Sequence, residues 1–269
     1  MGPGGLVVRM SVGGRVCLFA AGLLAAALFP AKGAMAQSVA EQYLMAAANQ
    51  ERAALGLGQL HWDKSLARAA AGHARVMAAH GSISHQFAGE PELTARGASA
   101  GVHFSAISEN VAEAPSAVTI HEMWMRSEGH RKNLLDSSVD AVGISVVERG
   151  GELYAVEDFA KTVRVLSFEE QEAAVASLVL RPGLRVLNAE GDPAVTEAAR
   201  KTCSMETGYA GTRKPYFVMR YMAGSLTALP EQLTTRIATG KYREAVVGAC
   251  KTGDSGPFTA YNIAVLLYP

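Results

Sequence analysis

Three standard signatures of catalysis are missing from this chain of 269 residues. It has no His-Glu-x-x-His pair on a helix, no Gly-rich phosphate loop ending in Lys-Ser/Thr and no Gly-x-Gly-x-x-Gly fingerprint, so the zincin, P-loop and dinucleotide classes are left out. His121-Glu122 comes nearest to the first pattern and lacks the second histidine four residues on. Charge of one sign is also missing: 25 basic residues face 25 acidic ones and no basic run occurs. Such a balance gives no electrostatic footprint for nucleic acid and no linear signal for anionic lipid. The one long apolar run, Val16 to Phe29, falls short of the roughly 20 residues needed to span a bilayer. Cysteine is scarce, with three in the whole chain.

That apolar run has another meaning. Arg9 and Arg15 precede it or bound it, it contains no charge, and Ala34-Met35-Ala36 satisfies the small-x-small cleavage rule. Residues 1–36 therefore read as a secretory signal peptide, with the mature chain starting at Gln37 and no membrane span left after cleavage. No cysteine follows the apolar core, so lipoprotein processing has no acceptor. Without Arg9, Arg15 and Lys32 the remaining 233 residues carry 22 basic and 25 acidic side chains, a net charge of −3. They are enough for one large domain or two small ones with a sizeable core. Cys17 leaves with the signal. In an exported chain Cys203 and Cys250 are expected to form a disulfide rather than a metal pair, two buried free thiols being the alternative. Closing that loop would contribute about 4 kcal/mol in the chain-entropy model.

Local patterns divide the rest. Ser38 and Glu41 make a capping box before an Ala/Leu-rich helix that Gly56 and Gly58 stop. Asp63 caps a second helix whose apolar face, Leu66, Ala70, Ala74 and Met77, runs to Gly81. Residues 81–115 read as an irregular loop, because Gly, Ser and Pro interrupt every period. A third helix runs from Ser116 to about Arg126. Val142, Ile144 and Val146 alternate in a strand, Gly150-Gly151 turns it, and Leu153 to Lys161 return. Beyond that, Ser167 and Glu170 repeat the capping box, Asp192-Pro193 opens another helix, and strands are expected at 216–222 and 258–268 with a short helix at 230–238. Val142-Gly143-Ile144 has an echo in Val247-Gly248-Ala249, a common enough string to be taken as coincidence.

One stretch is more specific. His121-Glu-Met-Trp-Met-Arg-Ser-Glu-Gly-His-Arg-Lys-Asn133, followed by Leu134-Leu135, stands with Ser84-His85 and Ser108-Glu109-Asn110-Val111-Ala112. Together these resemble the CAP superfamily (cysteine-rich secretory proteins, antigen 5, pathogenesis-related 1; the SCP domain), in its short bacterial branch. The resemblance covers about residues 40–162. It implies an α+β fold, an α-β-α sandwich over residues 37–164. Residues 165–269 resemble no recognised family, and their own helix and strand signals are expected to form a second small α+β domain. The candidate cleft residues are His85, Glu109 and His130, with Glu128 as a further candidate and His121 nearby in sequence; the resemblance itself carries over His85 and Glu109. Animal and plant relatives carry a Glu three residues after the helix Trp, where this chain has Ser127, and a Gly-His-aromatic-Thr segment that is absent here.

Two imidazoles and two carboxylates can bind a divalent metal such as zinc, with His85, Glu109 and His130 as ligands, or place a water between base and acid. Plainer roles compete. His130 and Arg131 can cap the third helix at its negative end. Glu109 can pin the loop through backbone N–H groups while Asn110 supports a turn. Trp124, with Ile120 and Met125, belongs to a core face, and His73 and His80 suit surface or core positions. His61 and His103 have no context. Ser84 adjoins His85, but sequence neighbours rarely make a nucleophile and its base, and no Gly-x-Ser-x-Gly nucleophile elbow is expected. The reading is an exported, secreted or periplasmic protein acting as a non-catalytic binding or interaction module. Its ligand would be lipid, sterol, envelope polysaccharide or protein, and not nucleic acid. The alternatives are a metal-dependent hydrolase or peptidase using the His/Glu cleft, and a structural partner-binding protein whose cleft does no chemistry.

Overall fold

The computed structural model describes residues 37–190, 193–251 and 257–269. The segment read as a signal peptide, residues 1–36, lies outside the described residues, as does Asp192, the expected helix cap. Ser38 opens the first helix as its sequence predicts. Its hydroxyl accepts from the Glu41 N–H and the Glu41 carboxylate accepts from the Ser38 N–H, closing the capping box ahead of α1 (Val39–Ala54). A two-residue strand β1 (His61–Trp62) leads to α2 (Lys64–His80), whose first N–H groups donate to the Asp63 carboxylate. Then come α3 (Leu93–Ser99), β2 (Phe104–Ala114), α4 (Ala117–Arg126), α5 (Glu128–Leu134), β3 (Ala141–Arg149) and β4 (Glu152–Thr162). Gly150 and Gly151 make the β3–β4 turn at positive φ, 66° and 87°, where side chains with a Cβ are strained.

These strands form one sheet in the order β1-β3-β4-β2, with β1 parallel to β3 and the other pairs antiparallel. Helices cover both faces. On one side Leu66, Ala70, Ala74 and Met77 of α2 pack on Val111, Ala141, Val156 and Ala160. On the other, Leu44, Ile120, Trp124 and Leu134 pack on Ala112, Val142, Ile144 and Phe159. Gly143 lets α2 approach: a Cβ there would lie 2.1 Å from the Ala67 backbone nitrogen.

The second half builds the same connectivity again. The capping box of Ser167 and Glu170 starts α6 (Phe168–Val179). Next are β5 (Arg185–Val186), a 3₁₀ turn, α7 (Pro193–Cys203), β6 (Phe217–Ala223), α8 (Glu231–Ala238), β7 (Glu244–Cys250) and β8 (Tyr261–Tyr268). The sheet order is β5-β7-β8-β6, again with the short first strand parallel and the rest antiparallel. Ala199 of α7 covers one face with Val246, Ala264 and Leu266. Val175, Val179, Leu233 and Ile237 cover the other, against Val247, Ile263 and Val265. Gly248 repeats the role of Gly143, since its Cβ would sit 2.2 Å from the Ala199 carbonyl carbon. The echo set aside as coincidence marks equivalent points in two like-connected sheets.

Residues 81–115 differ most from expectation. They contain α3 and the eleven-residue strand β2, which runs antiparallel to β4 along the sheet's edge. Ser105, Ser108, Glu109, Asn110 and Glu113 give β2 no apolar alternation, which is why its period was unreadable. The Cys203–Cys250 disulfide forms as expected, with Cα atoms 5.8 Å apart, and joins the end of α7 to the end of β7. The two halves meet where the Phe258 ring packs edge-on to Phe104 (5.4 Å) and the Thr259 N–H donates to the Phe104 carbonyl (2.7 Å). Among the described residues no helix is long and apolar enough to cross a membrane.

Candidate functional site

The cleft begins where α2 ends. Gly81 terminates that helix in the left-handed conformation and releases residues 82–92 as a loop. Two side chains then tie the loop from beneath. His73 of α2 is fully buried, with Nδ1 2.7 Å from Glu90 Oε1 and Nε2 2.7 Å from the Ser84 carbonyl. Arg96 of α3 donates to the carbonyls of His85 (3.1 Å) and Pro91 (3.2 Å) and to Glu109 Oε2. Phe87 stacks on His80 at 4.2 Å. The loop that carries His85 is thus held at Ser84, His85, Glu90 and Pro91.

Glu109, from β2, is almost buried and has both oxygens engaged. One accepts from Arg96 and the other lies 2.8 Å from His85 Nδ1. The imidazole is therefore oriented by a carboxylate while its side chain stays 63% exposed. Its Nε2 has no partner among the described residues. Opposite Glu109 on β4 stands Asp158, fully buried, with neither carboxyl oxygen partnered among the described residues. Burial first, then the charge of Glu109, push its pKa well up. The preceding residue, Glu157, faces the other side of the sheet beside Asn110, and burial pushes it up to about 8.

Asn110 and Asn133 bring α5 to the site. Asn110 donates to the His130 carbonyl (3.1 Å), and Asn133 donates to the Asn110 side chain (3.0 Å) and the Glu109 carbonyl (3.1 Å). His130 is half-buried, and burial together with the neighbouring His85 holds its imidazole below the usual range. His85, Glu109 and His130 therefore lie in one neighbourhood. The remaining candidates do not join them. Glu128 is exposed in the first turn of α5, where a carboxylate suits the helix N-terminus. His121 is buried with Nε2 3.6 Å from Glu51 of α1. Trp124 is core, its indole N–H donating to the Val111 carbonyl at 3.1 Å.

Four residues of the site escaped sequence reasoning: His73, Glu90, Arg96 and Asp158. The one available signal was His73, a histidine on the apolar face of α2 between Ala70 and Ala74. The pattern of a nucleophile elbow, expected to be absent, does occur as Gly97-Ala98-Ser99-Ala100-Gly101. The structure gives it no such role, because Ser99 is the last residue of α3 and not the turn between a strand and a helix. The Ser84 hydroxyl donates to the Gln86 carbonyl and makes no bond to His85. As for a metal, the engagement of both Glu109 oxygens leaves the imidazoles of His85 and His130. Two nitrogens fall short of the three protein ligands usual in a catalytic zinc site. No group of three His, Cys, Asp or Glu side chains among the described residues could hold an ion.

Residues 45–160, which contain this cleft, match the model of the Cysteine-rich secretory protein family, CAP. This chain carries a CAP domain. The chain is 33% identical over 129 residues to the uncharacterized membrane protein YlbC of Bacillus subtilis, covering 46% of this chain and 35% of that protein. It is 30% identical over 116 residues to the uncharacterized protein YkwD of the same organism, covering 42% and 44%. The similarity thus spans less than half the length of either relative. Among solved structures it is similar to an extracellular protein containing a SCP domain from Bacillus anthracis, at 29% identity and a TM-score of 0.42, covering 45% of this chain and 40% of that one. An outer surface protein of Borrelia burgdorferi gives 20% identity and a TM-score of 0.43, over 46% and 92%.

Proposed function

We propose that this CAP-domain protein is exported and binds a ligand of the cell envelope or extracellular space through the His85 cleft without turning it over. One observation carries the reading: both oxygens of Glu109 are committed, to Arg96 and to His85. What the cleft offers is an oriented imidazole edge on a loop held at several points, which is a preorganised binding surface. A metal-dependent hydrolase would need more, namely a full set of metal ligands around that imidazole. Export is supported by the composition of residues 1–36 and by a disulfide that persists in oxidising compartments. The ligand classes to try are lipid, envelope polysaccharide and protein.

The test is metal content of the purified chain together with capture of envelope lipid and polysaccharide, each with and without His85→Ala. Metal-free protein whose capture of an envelope fraction falls in the variant supports binding. Stoichiometric zinc that the variant loses overturns the reading in favour of a metal-dependent hydrolase.

A further inference from the structure

One end of the second sheet is built from cations that the sequence scatters. At that end Arg185 of β5 pairs with Glu244 of β7, Glu244 pairs with Tyr268 of β8, and Leu267 pairs with Phe217 of β6. Backbone bonds draw two more arginines in. The Arg185 N–H donates to the Arg243 carbonyl (2.8 Å), the Arg243 N–H to Tyr268 (2.9 Å) and the Leu184 N–H to Arg181 (3.0 Å). Arg213 lies 4.5 Å above the Tyr268 ring. Lys214 follows it, Lys241 precedes the strand, and all six cationic residues are exposed. Glu244 sits among them, ion-paired at 2.5 Å with Arg185 and also with Arg213. Among the described residues of this end, six cations stand with the Glu244 carboxylate that two of them share, on a chain whose net charge from Gln37 onward is −3. The concentration is therefore local, not a by-product of a basic protein.

Apolar side chains accompany the charge. Tyr216, 71% exposed, immediately precedes β6 and follows Lys214 by two residues, and Leu180, 57% exposed, precedes Arg181. Four strands about 4.8 Å apart make this end about 15 Å wide. It is a face and not a pocket.

We propose that this end of the second sheet is a docking surface for an anionic phospholipid bilayer. Several cations on one face draw headgroup phosphates by charge, as juxtamembrane basic clusters do. Their alkyl stems, with Tyr216 and Leu180, suit the boundary between headgroup and acyl chain, where amphipathic side chains lie with polar tips in water. A soluble polyanion would use the cations and gain nothing from the exposed Tyr and Leu. No linear basic motif announces the surface, because its cations run from Arg181 to Arg243 and only folding collects them.

The experiment takes the chain from Gln37 to Pro269, which forms one compact unit, and sediments it with phosphatidylcholine vesicles with or without phosphatidylglycerol. Binding only to the anionic vesicles, weakening as salt rises, is the expected result. Arg181→Gln, Lys214→Gln and Arg243→Gln should each lower the affinity about fivefold, and Tyr216→Ser should lower it at unchanged charge. Should the variant combining the three Gln changes lose its folded circular dichroism, the single Lys214→Gln and Lys241→Gln changes carry the same comparison. Absence of binding, equal binding to neutral vesicles, or variants that bind like the parent would overturn the proposal. Capture of soluble polyphosphate without capture of vesicles would overturn it too, assigning the face to a free polyanion.

Discussion

Arg96 holds more of the cleft than any residue of the recognisable motifs. It is buried, and it reaches His85, Pro91 and Glu109 together. Removing it leaves the Glu109 carboxylate buried without its counter-ion, a loss that in buried pairs costs about 3 kcal/mol or more. Arg96→Gln should therefore lower the denaturation free energy by that order and open residues 82–92 to protease, while the second half keeps its protection. A variant as stable as the parent would remove Arg96 from this role. Glu157 makes a pH prediction. Its carboxyl keeps its proton in the fold up to about 8, whereas in the unfolded chain it ionises in the ordinary carboxylate range. Between those limits the native state binds the extra proton, so stability falls as pH rises, by up to about 1.4 kcal/mol per unit for this group alone. Below the ordinary carboxylate range both states are protonated and the effect vanishes. Denaturation of Glu157→Gln across that window should show a flatter slope than the parent. At this scale the sequence was legible only where a motif carries a residue, as with His85 and Glu109. Arg96 and Asp158 matter through a partner on another element, and neither spacing nor composition points to such a partner.

Elements were legible in proportion to how local their causes are. Ser38 and Ser167 announce their helices, and both capping boxes close as read. The hairpin is fixed by Gly150 and Gly151. Strands β1 and β5, two residues each, could not be read, since each exists only by parallel pairing with a distant strand. Strand β2 was hidden by its own polar residues. The glycines under α2 and α7 give the sharpest element-scale prediction. Gly248→Ala puts a Cβ 2.2 Å from the Ala199 carbonyl carbon and 2.3 Å from its oxygen. Backbone must move, at a cost of about 3 kcal/mol, the upper end for overpacking. Gly143→Ala should behave alike in the first half, and thermal unfolding of both variants checks the equivalence. The disulfide acts on the same pair of elements as Gly248. Replacing Cys203 and Cys250 by Ser frees a loop with ends 47 residues apart and should lower stability by about 4 kcal/mol in the chain-entropy model. Free-thiol titration of the unfolded, unreduced parent should find no reactive thiol from this pair.

At the scale of the whole molecule the CAP half was readable and the second half was not. Residues 121–133 are a string specific enough to carry a fold, whereas the second half shares the first half's strand order and directions with almost none of its letters. Connectivity of that kind is invisible to a linear scan. Export belongs to this scale as well. Material collected outside the cytoplasm should begin at Gln37 by N-terminal sequencing, and a product retaining Met1 would remove both the export proposal and the compartment assumed for the disulfide.

The parallel edge strands set an order of events for a growing chain. His61 pairs with Ala141 and Arg185 with Glu244, so in each sheet the first strand waits for the third across a longer span of chain than any other pairing in that sheet closes. Until then each nascent hairpin presents a vacant edge, and the two vacancies ask for the same thing: a short parallel strand arriving ahead of a crossing helix. Contacts so distant along the chain make for slow closure. Two like vacancies within one molecule also invite exchange, the wrong strand filling the edge or a neighbouring copy lending its own. Refolding yield should therefore decline as protein concentration rises, with strand-exchanged dimers as the by-product.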